Sequence, residues 1–205
     1  MIKLTQHQLF SVPIWATTIS DFDDIKDDFI STAYEIRKSE QNIIRSNVNG
    51  YHSLPSHQKD DRFRKLIELI LSLSYQATRD LEFQFDCHPV ITDLWVNFNE
   101  ERSHINVEHI HDGCFSGVFY LQCPANSGNL VIKNPAINQL WKGLIHRSKS
   151  NIYNKMTEQI EPKEGWLFIW PSYLPHSVMP NNHDLTRISV SFNVDVVNTN
   201  QNTHR

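Results

Sequence analysis

Two histidines separated by one residue, in Glu108-His-Ile-His-Asp112, are the side chains of this sequence best suited to chemistry. If the segment is extended, His109 and His111 share a face, because side-chain direction repeats every second residue. Two neutral imidazoles so placed can bind a divalent metal ion such as iron, zinc, copper or nickel. A third ligand has to come from elsewhere. His176 is the natural candidate, since Pro171 and Pro175 restrict the backbone that presents it. Read alone, a pair at this spacing also occurs by chance, and His176 is open to a reading as a loop histidine.

A second constellation lies eleven residues after His176. From Arg187 the chain alternates strictly, with Arg187, Ser189, Ser191 and Asn193 on one face and Ile188, Val190, Phe192 and Val194 on the other. That period is a strand with one face for a core. The other face carries a guanidinium and, two residues on, a hydroxyl. A guanidinium away from water needs an acidic partner, and its planar fork grips a carboxylate with two parallel hydrogen bonds. Arg187 with Ser189 therefore reads as an anion dock. A solvated face, or a pairing of Arg187 with Asp195 or Glu164, is the alternative.

The elements that must position these residues fall into two parts. A short opening strand is expected over Leu9–Trp15, an amphipathic helix over Asp21–Lys38 with Ser20 or Asp21 as its cap, a loop over Ser46–Ser53 and a long helix from Asp61 to about Phe83. Both helices carry apolar stripes at helical spacing and read as scaffold. From Pro89 the period changes to alternation, with strands over Val90–Asn99, Phe115–Gln122, Gly128–Lys133, Thr157–Ile160, Gly165–Trp170 and Arg187–Val197. Short strands punctuated by Asn, Gly, Pro and Ser make a sandwich or barrel, and a jelly roll is preferred. Asn134–Tyr153, with Trp141, His146 and Arg147, reads as a long loop over one mouth of the sheet. The expected fold is thus mainly β, a double-stranded β-helix (jelly roll) core with N-terminal supporting helices. One domain spans 1–205, with a helical part to about 88 and a β core over about 89–197.

Composition narrows the classes. A length of 205 residues suits one domain with a sizeable core. The net charge of −4 argues against a nucleic-acid partner. The apolar run Leu66–Leu73 is too short for a bilayer span and the first ten residues lack a secretory pattern, so no membrane association and a cytoplasmic location are expected. Three cysteines, Cys87, Cys114 and Cys123, without paired spacing favour free thiols.

Taken together, Trp95-Val-Asn97, His109-Ile-His111, Ser116-Gly-Val-Phe-Tyr120, Pro171-Ser-Tyr-Leu-Pro-His-Ser177 and Arg187-Ile-Ser-Val-Ser-Phe-Asn193 resemble the iron(II) and 2-oxoglutarate dependent dioxygenases. The likeness is to the branch common in phages and marine bacteria, which would put a phage-encoded copy in the host cytoplasm. It covers almost the whole chain, with the sharp motifs in the second half. The resemblance implies a hydroxylase with Fe(II) as cofactor and 2-oxoglutarate as co-substrate. It sets His109 and His176 as iron ligands and Arg187 and Ser189 on the distal carboxylate, with Tyr120 and Asn97 touching the co-substrate. No catalytic residue beyond the ligands is implied. The substrate would be a small molecule or a peptidyl side chain, and a homodimer is one assembly left open. The departure is at His111, where most of the superfamily has Asp or Glu. A three-histidine site is favoured, with a bulge that re-aims Asp112 as the alternative. A non-catalytic metal-binding jelly-roll module, or a cupin-type metalloenzyme without 2-oxoglutarate, are the competing readings.

Overall fold

The computed structural model describes residues 11–83, 86–100, 104–136, 149, 151–152 and 154–198. Its helices are α1 (Phe22–Ser39) and α2 (Arg64–Asp80), the latter led in by 3-10 turns at His57–Lys59 and Asp61–Phe63. The strands are β1 (Trp15–Thr18), β2 (Asn47–Val48), β3 (Tyr51–His52), β4 (Cys87–Asn99), β5 (Ile105–His109), β6 (Phe115–Gln122), β7 (Leu130–Lys133), β8 (Thr157–Ile160), β9 (Trp166–Pro171), β10 (His176–Val178) and β11 (Arg187–Asn198).

Helix α1 buries Phe22, Phe29, Ala33 and Ile36, and α2 buries Leu66, Ile70 and Ala77. In α1 the acidic first turn (Asp23, Asp24) and basic last turn (Arg37, Lys38) complement the helix dipole. Asp21 stands at the N-cap position but makes no side-chain cap, because its carboxylate pairs with Lys65 at the neighbouring turn.

The strands form two antiparallel sheets, ordered β1-β9-β6-β11-β4-β3 and β2-β5-β10-β7-β8. From β4 to β11 the chain crosses between sheets at every step except the β7–β8 hairpin. This is the expected jelly roll. Alternation along the strands separates two clusters. Phe115, Phe119 and Leu121 of β6 join Ile188, Val190 and Phe192 of β11 against the helices. Val118 and Tyr120 join Phe168, Trp170 and Ile132 between the sheets.

Several elements differ from the sequence reading. The opening strand begins only at Trp15: residues 11–14 have no regular structure, and Pro13 has no amide hydrogen to give a ladder. Ser46–Ser53 is not a plain loop, since β2 pairs with β5 and β3 with β4. Asn47 stitches that turn, accepting from the Arg45 amide and donating to the Gly50 carbonyl. Strands β5 and β10 are too short for a period to reveal. Of the long segment expected over the mouth, residues 137–148, 150 and 153, including Trp141, His146 and Arg147, lie outside the described residues. Among the described residues no helix is long and apolar enough to cross a membrane. Cys87, Cys114 and Cys123 are free.

Gly117 sits where three strands meet, and a Cβ there would lie 2.2 Å from the Phe192 ring and 2.5 Å from the Phe168 carbonyl oxygen. Gly117→Ala is expected to cost about 1–3 kcal/mol of stability through overpacking, measured as a lower denaturant midpoint at unchanged slope.

Candidate metal centre

Strand β5 ends at His109, and β10 begins at His176 directly across the ladder from it. The turn before β10 is fixed by Leu174 donating to the Pro171 carbonyl and Ser172 donating to the Cys114 carbonyl. His111 lies just past β5, and its amide donates to the Ser172 carbonyl at 3.2 Å. Strand alternation thus does not by itself aim His111. The loop from His111 is tied back to the turn that carries His176, and that tie brings the third ring in.

The ligand atoms of His109, His111 and His176 lie within 4.8 Å of one another. Ring centroids are 4.3 Å apart for His109 and His176, and 4.8 Å for His109 and His111. The Nδ1 of His109 is 2.7 Å from the Val107 carbonyl and that of His176 is 2.9 Å from the Leu174 carbonyl. Carbonyls only accept, so in the neutral rings Nδ1 carries the proton and the Nε2 lone pairs are left for a metal. Burial lowers the pKa of His176 to about 3, with the positive charge of His109 adding to it, and burial likewise brings His111 to about 4. All three rings are unprotonated at neutral pH, the state that binds metal. Asp112 lies outside this cluster and lines the mouth of the same cavity.

The cavity holds about 830 Å³ and runs from the histidines to Arg187. One wall is the β4–β11 ladder, whose inward pairs are Asn193↔Asp93, Ser191↔Trp95, Ser189↔Asn97 and Arg187↔Asn99. Tyr120 of β6 lies opposite Ser189 on the other side of β11. All four residues expected on the co-substrate, Arg187, Ser189, Tyr120 and Asn97, therefore face one space with the three histidines. Asn97 spends its amide on Ser191 Oγ at 3.0 Å.

Arg187 is 2% exposed. Its Nη1 donates to the Gly128 carbonyl at 2.8 Å, while Nε is buried without a partner. Gly128 has φ +92 and a Cβ there would meet the Met179 oxygen at 2.1 Å, so only glycine can present this carbonyl. Among the described residues no carboxylate pairs with Arg187. Asp195 instead accepts from Cys114, and Glu164 is engaged by Lys26 and the Cys123 amide. Among the described residues, the other titratable neighbours of the guanidinium, Tyr120, Cys123 and His104, are neutral at pH 7. Burial raises the Tyr120 phenol, pushes the Cys123 thiol to about 12 and, with the charge of Arg187, brings His104 down to about 4. An uncompensated buried cation of this kind is strongly unfavourable unless an anion joins it.

Trp95 stacks on His52 at 5.3 Å and leans on His111, and Trp170 packs edge-on to His176. The sequence pattern placed Asn99 and Trp95 on the correct face but gave neither a role. His52, Gly128 and Trp170 fall in stretches that share the family resemblance, Asn47–Ser53, Pro124–Gly128 and Gly165–Trp170, but had no role of their own, and His104 fell in none.

The donor set fits an iron ion, with three neutral imidazoles converging on one point, and the unpartnered Arg187 Nε fits an acid held beside it. Residues 93–193 match the family model described as "Putative 2OG-Fe(II) oxygenase". No curated protein matches the chain in sequence. Among solved structures, the epimerase SnoN in complex with Fe3+, alpha ketoglutarate and nogalamycin RO is similar, with a TM-score of 0.64 and 13% identity over 91% of this chain and 81% of that one. A prolyl-4-hydroxylase from Pseudomonas putida gives 0.59 and 14% over 89% and 93%. A prolyl hydroxylase from Trichoplax adhaerens, in complex with a hypoxia inducible factor peptide fragment, gives 0.57 and 13% over 86% and 81%.

The buried histidines set a pH dependence. Their folded pKa values lie below the ordinary 6.5, so the unfolded chain binds more protons in between. The stability they contribute is complete above pH 6.5 and is lost as pH falls toward the folded values of about 4 and 3. Metal-free protein is expected to show a denaturation midpoint that climbs with pH across that window and levels off above it. His104→Gln, keeping size and polarity away from the metal cluster, is expected to flatten part of the climb.

Proposed function

We propose that the chain is a 2OG-Fe(II) oxygenase, the family whose model matches residues 93–193, in which His109, His111 and His176 hold the iron while Arg187 and Ser189 hold the far carboxylate of 2-oxoglutarate. Iron(II) held there with this co-substrate would let dioxygen hydroxylate a C–H bond, one oxygen atom going to the product and the other to succinate as 2-oxoglutarate loses carbon dioxide. The chain's own residues do the rest. The carbonyls of Val107 and Leu174 fix the tautomers of His109 and His176 and so aim their lone pairs. Gly128 fixes the guanidinium by one bond and leaves its other donors to the carboxylate, beside the hydroxyl of Ser189. Tyr120, buried and protonated, offers an O–H in the same space, and Asn97 lines the path from Arg187 to the metal. Trp95, Trp170 and His52 keep water from the reacting end.

The single observation that carries this reading is Arg187, a buried guanidinium with no carboxylate partner among the described residues, in one cavity with three converging histidines. A metal-binding module or a cupin that needs no keto acid has no use for it. The three-histidine set is supported by the cluster excluding Asp112. The substrate is a small molecule or a peptidyl side chain, the two classes named by the similar structures, SnoN and the two prolyl hydroxylases. We read residues 1–205 as one unit, because β1, β2 and β3 complete the two sheets of the β core.

Purified protein with iron(II), 2-oxoglutarate and oxygen is expected to form succinate, and to form none without iron or oxygen. His176→Ala is expected to lose iron binding. Arg187→Leu is expected to keep iron affinity while the KM for 2-oxoglutarate rises about ten- to hundredfold, given roughly 1.5–3 kcal/mol for hydrogen bonds to a charged group. Equal succinate formation by Arg187→Leu at limiting 2-oxoglutarate would overturn the assignment.

A further inference from the structure

The deep end of the cavity contains a second polar group without a partner. Asn99 is 1% exposed, lines the cavity, and its Oδ1 is buried with nothing to accept from. It lies directly across the β4–β11 ladder from Arg187, whose Nε is the orphan donor. Directly opposed residues of antiparallel strands have Cβ atoms about 4.5–5.5 Å apart, so the two side chains leave neighbouring points of one cavity wall. Among the described residues neither orphan has a partner, and buried polar groups left unpaired in a native fold call for one.

We propose that Asn99 is a further anchor for the co-substrate, its carboxamide donating to the same carboxylate that Arg187 holds. This rests on the reading of Arg187 given above and adds a residue to it. The direction of the amide follows from its other contacts. As it stands, Asn99 Nδ2 donates to Asn106 Oδ1 at 3.4 Å, and Asn106 Nδ2 donates to Ser46 Oγ at 3.1 Å. The O and N ends of a carboxamide are interchangeable in shape. Turning both amides by half a rotation keeps each bond with its polarity reversed. Ser46 then donates to Asn106 Oδ1, and Asn106 Nδ2 donates to Asn99 Oδ1. His104 Nε2, 3.4 Å from the Asn106 amide, accepts from it, which an unprotonated imidazole can do. The turn leaves Asn99 Nδ2, rather than its Oδ1, as the free end beside the guanidinium. That end is a donor, which a carboxylate needs and which an empty acceptor next to an anion would oppose. The amide pair Asn99–Asn106 is therefore set by the charge of what occupies the deep end, and it carries that state out to Ser46 on the cavity rim.

The test is binding without turnover. Manganese-loaded, oxygen-free protein is titrated with 2-oxoglutarate and, separately, with pyruvate, which has the 2-oxo acid end and lacks the distal carboxylate. Asn99→Ala is expected to weaken 2-oxoglutarate about tenfold or more, the loss of one hydrogen bond to a charged group, while manganese and pyruvate affinities stay within twofold. Asn99→Asp, the same shape with a like charge toward the ligand, is expected to weaken 2-oxoglutarate further and serves if the alanine variant does not fold. Unchanged 2-oxoglutarate affinity in both variants, or an equal loss for pyruvate, would overturn the anchor. If wild-type protein binds manganese but not 2-oxoglutarate, the proposed function itself falls, a result distinguishable from a failure of Asn99 alone.

Discussion

A guanidinium held out of water, with no carboxylate to meet it among the described residues, constrains this structure more than any other interaction. Arg187 occupies the first position of β11, the strand at the centre of the larger sheet, where β6 and β4 cover it on either side. The backbone carbonyl of Gly128 steadies it, and its titratable neighbours Tyr120, Cys123 and His104 are neutral at pH 7. Desolvating an unpaired charge is costly, and replacing such a group by an apolar one would stabilise many folds. Its presence here marks a place where stability is given up, as the proposed binding of a co-substrate carboxylate would require.

Register turns that local constraint into a site. Because β11 and β4 pair residue for residue from Arg187 to Asn193, every second rung faces the cavity and the polar residues of two strands form one wall. The bulge after Asn193 falls beyond the last of these rungs. On the facing sheet, the His109↔His176 pair lies where β5 and β10 meet, and the Ser172 turn ties His111 to the same point. The apolar halves of β6 and β11 meanwhile pack on α1 and α2, so the helices support the sheet without entering the chemistry.

Much of this was legible in the sequence, for reasons that can be named. Strict alternation from Arg187 to Val194 fixed both faces of β11, and the same period set Trp95, Asn97 and Asn99 together on β4. What was not legible came from contacts between distant segments. Nothing local in His109-Ile-His111 shows that the strand ends at His109, or that a carbonyl from residue 172 holds His111 in place. The turn around Asn47 reads as a loop because its strands are two residues long and pair in different sheets. Asp21 reads as a helix cap until Lys65 is seen beside it. Asn99 had the right face but no partner in the sequence pattern, since the orphaned state of its oxygen exists only in the packed fold.

The central claim is that one cavity joins a three-imidazole metal site to a carboxylate anchor at Arg187. A crystal structure of the protein grown without oxygen, with manganese and 2-oxoglutarate bound, tests it most directly. The expected result is nitrogen atoms of His109, His111 and His176 on the metal at about 2.0 to 2.2 Å, with the distal carboxylate of the co-substrate on Arg187 and Ser189. A carboxylate of Asp112 or Asp93 on the metal in place of His111, or 2-oxoglutarate bound away from Arg187, would contradict it.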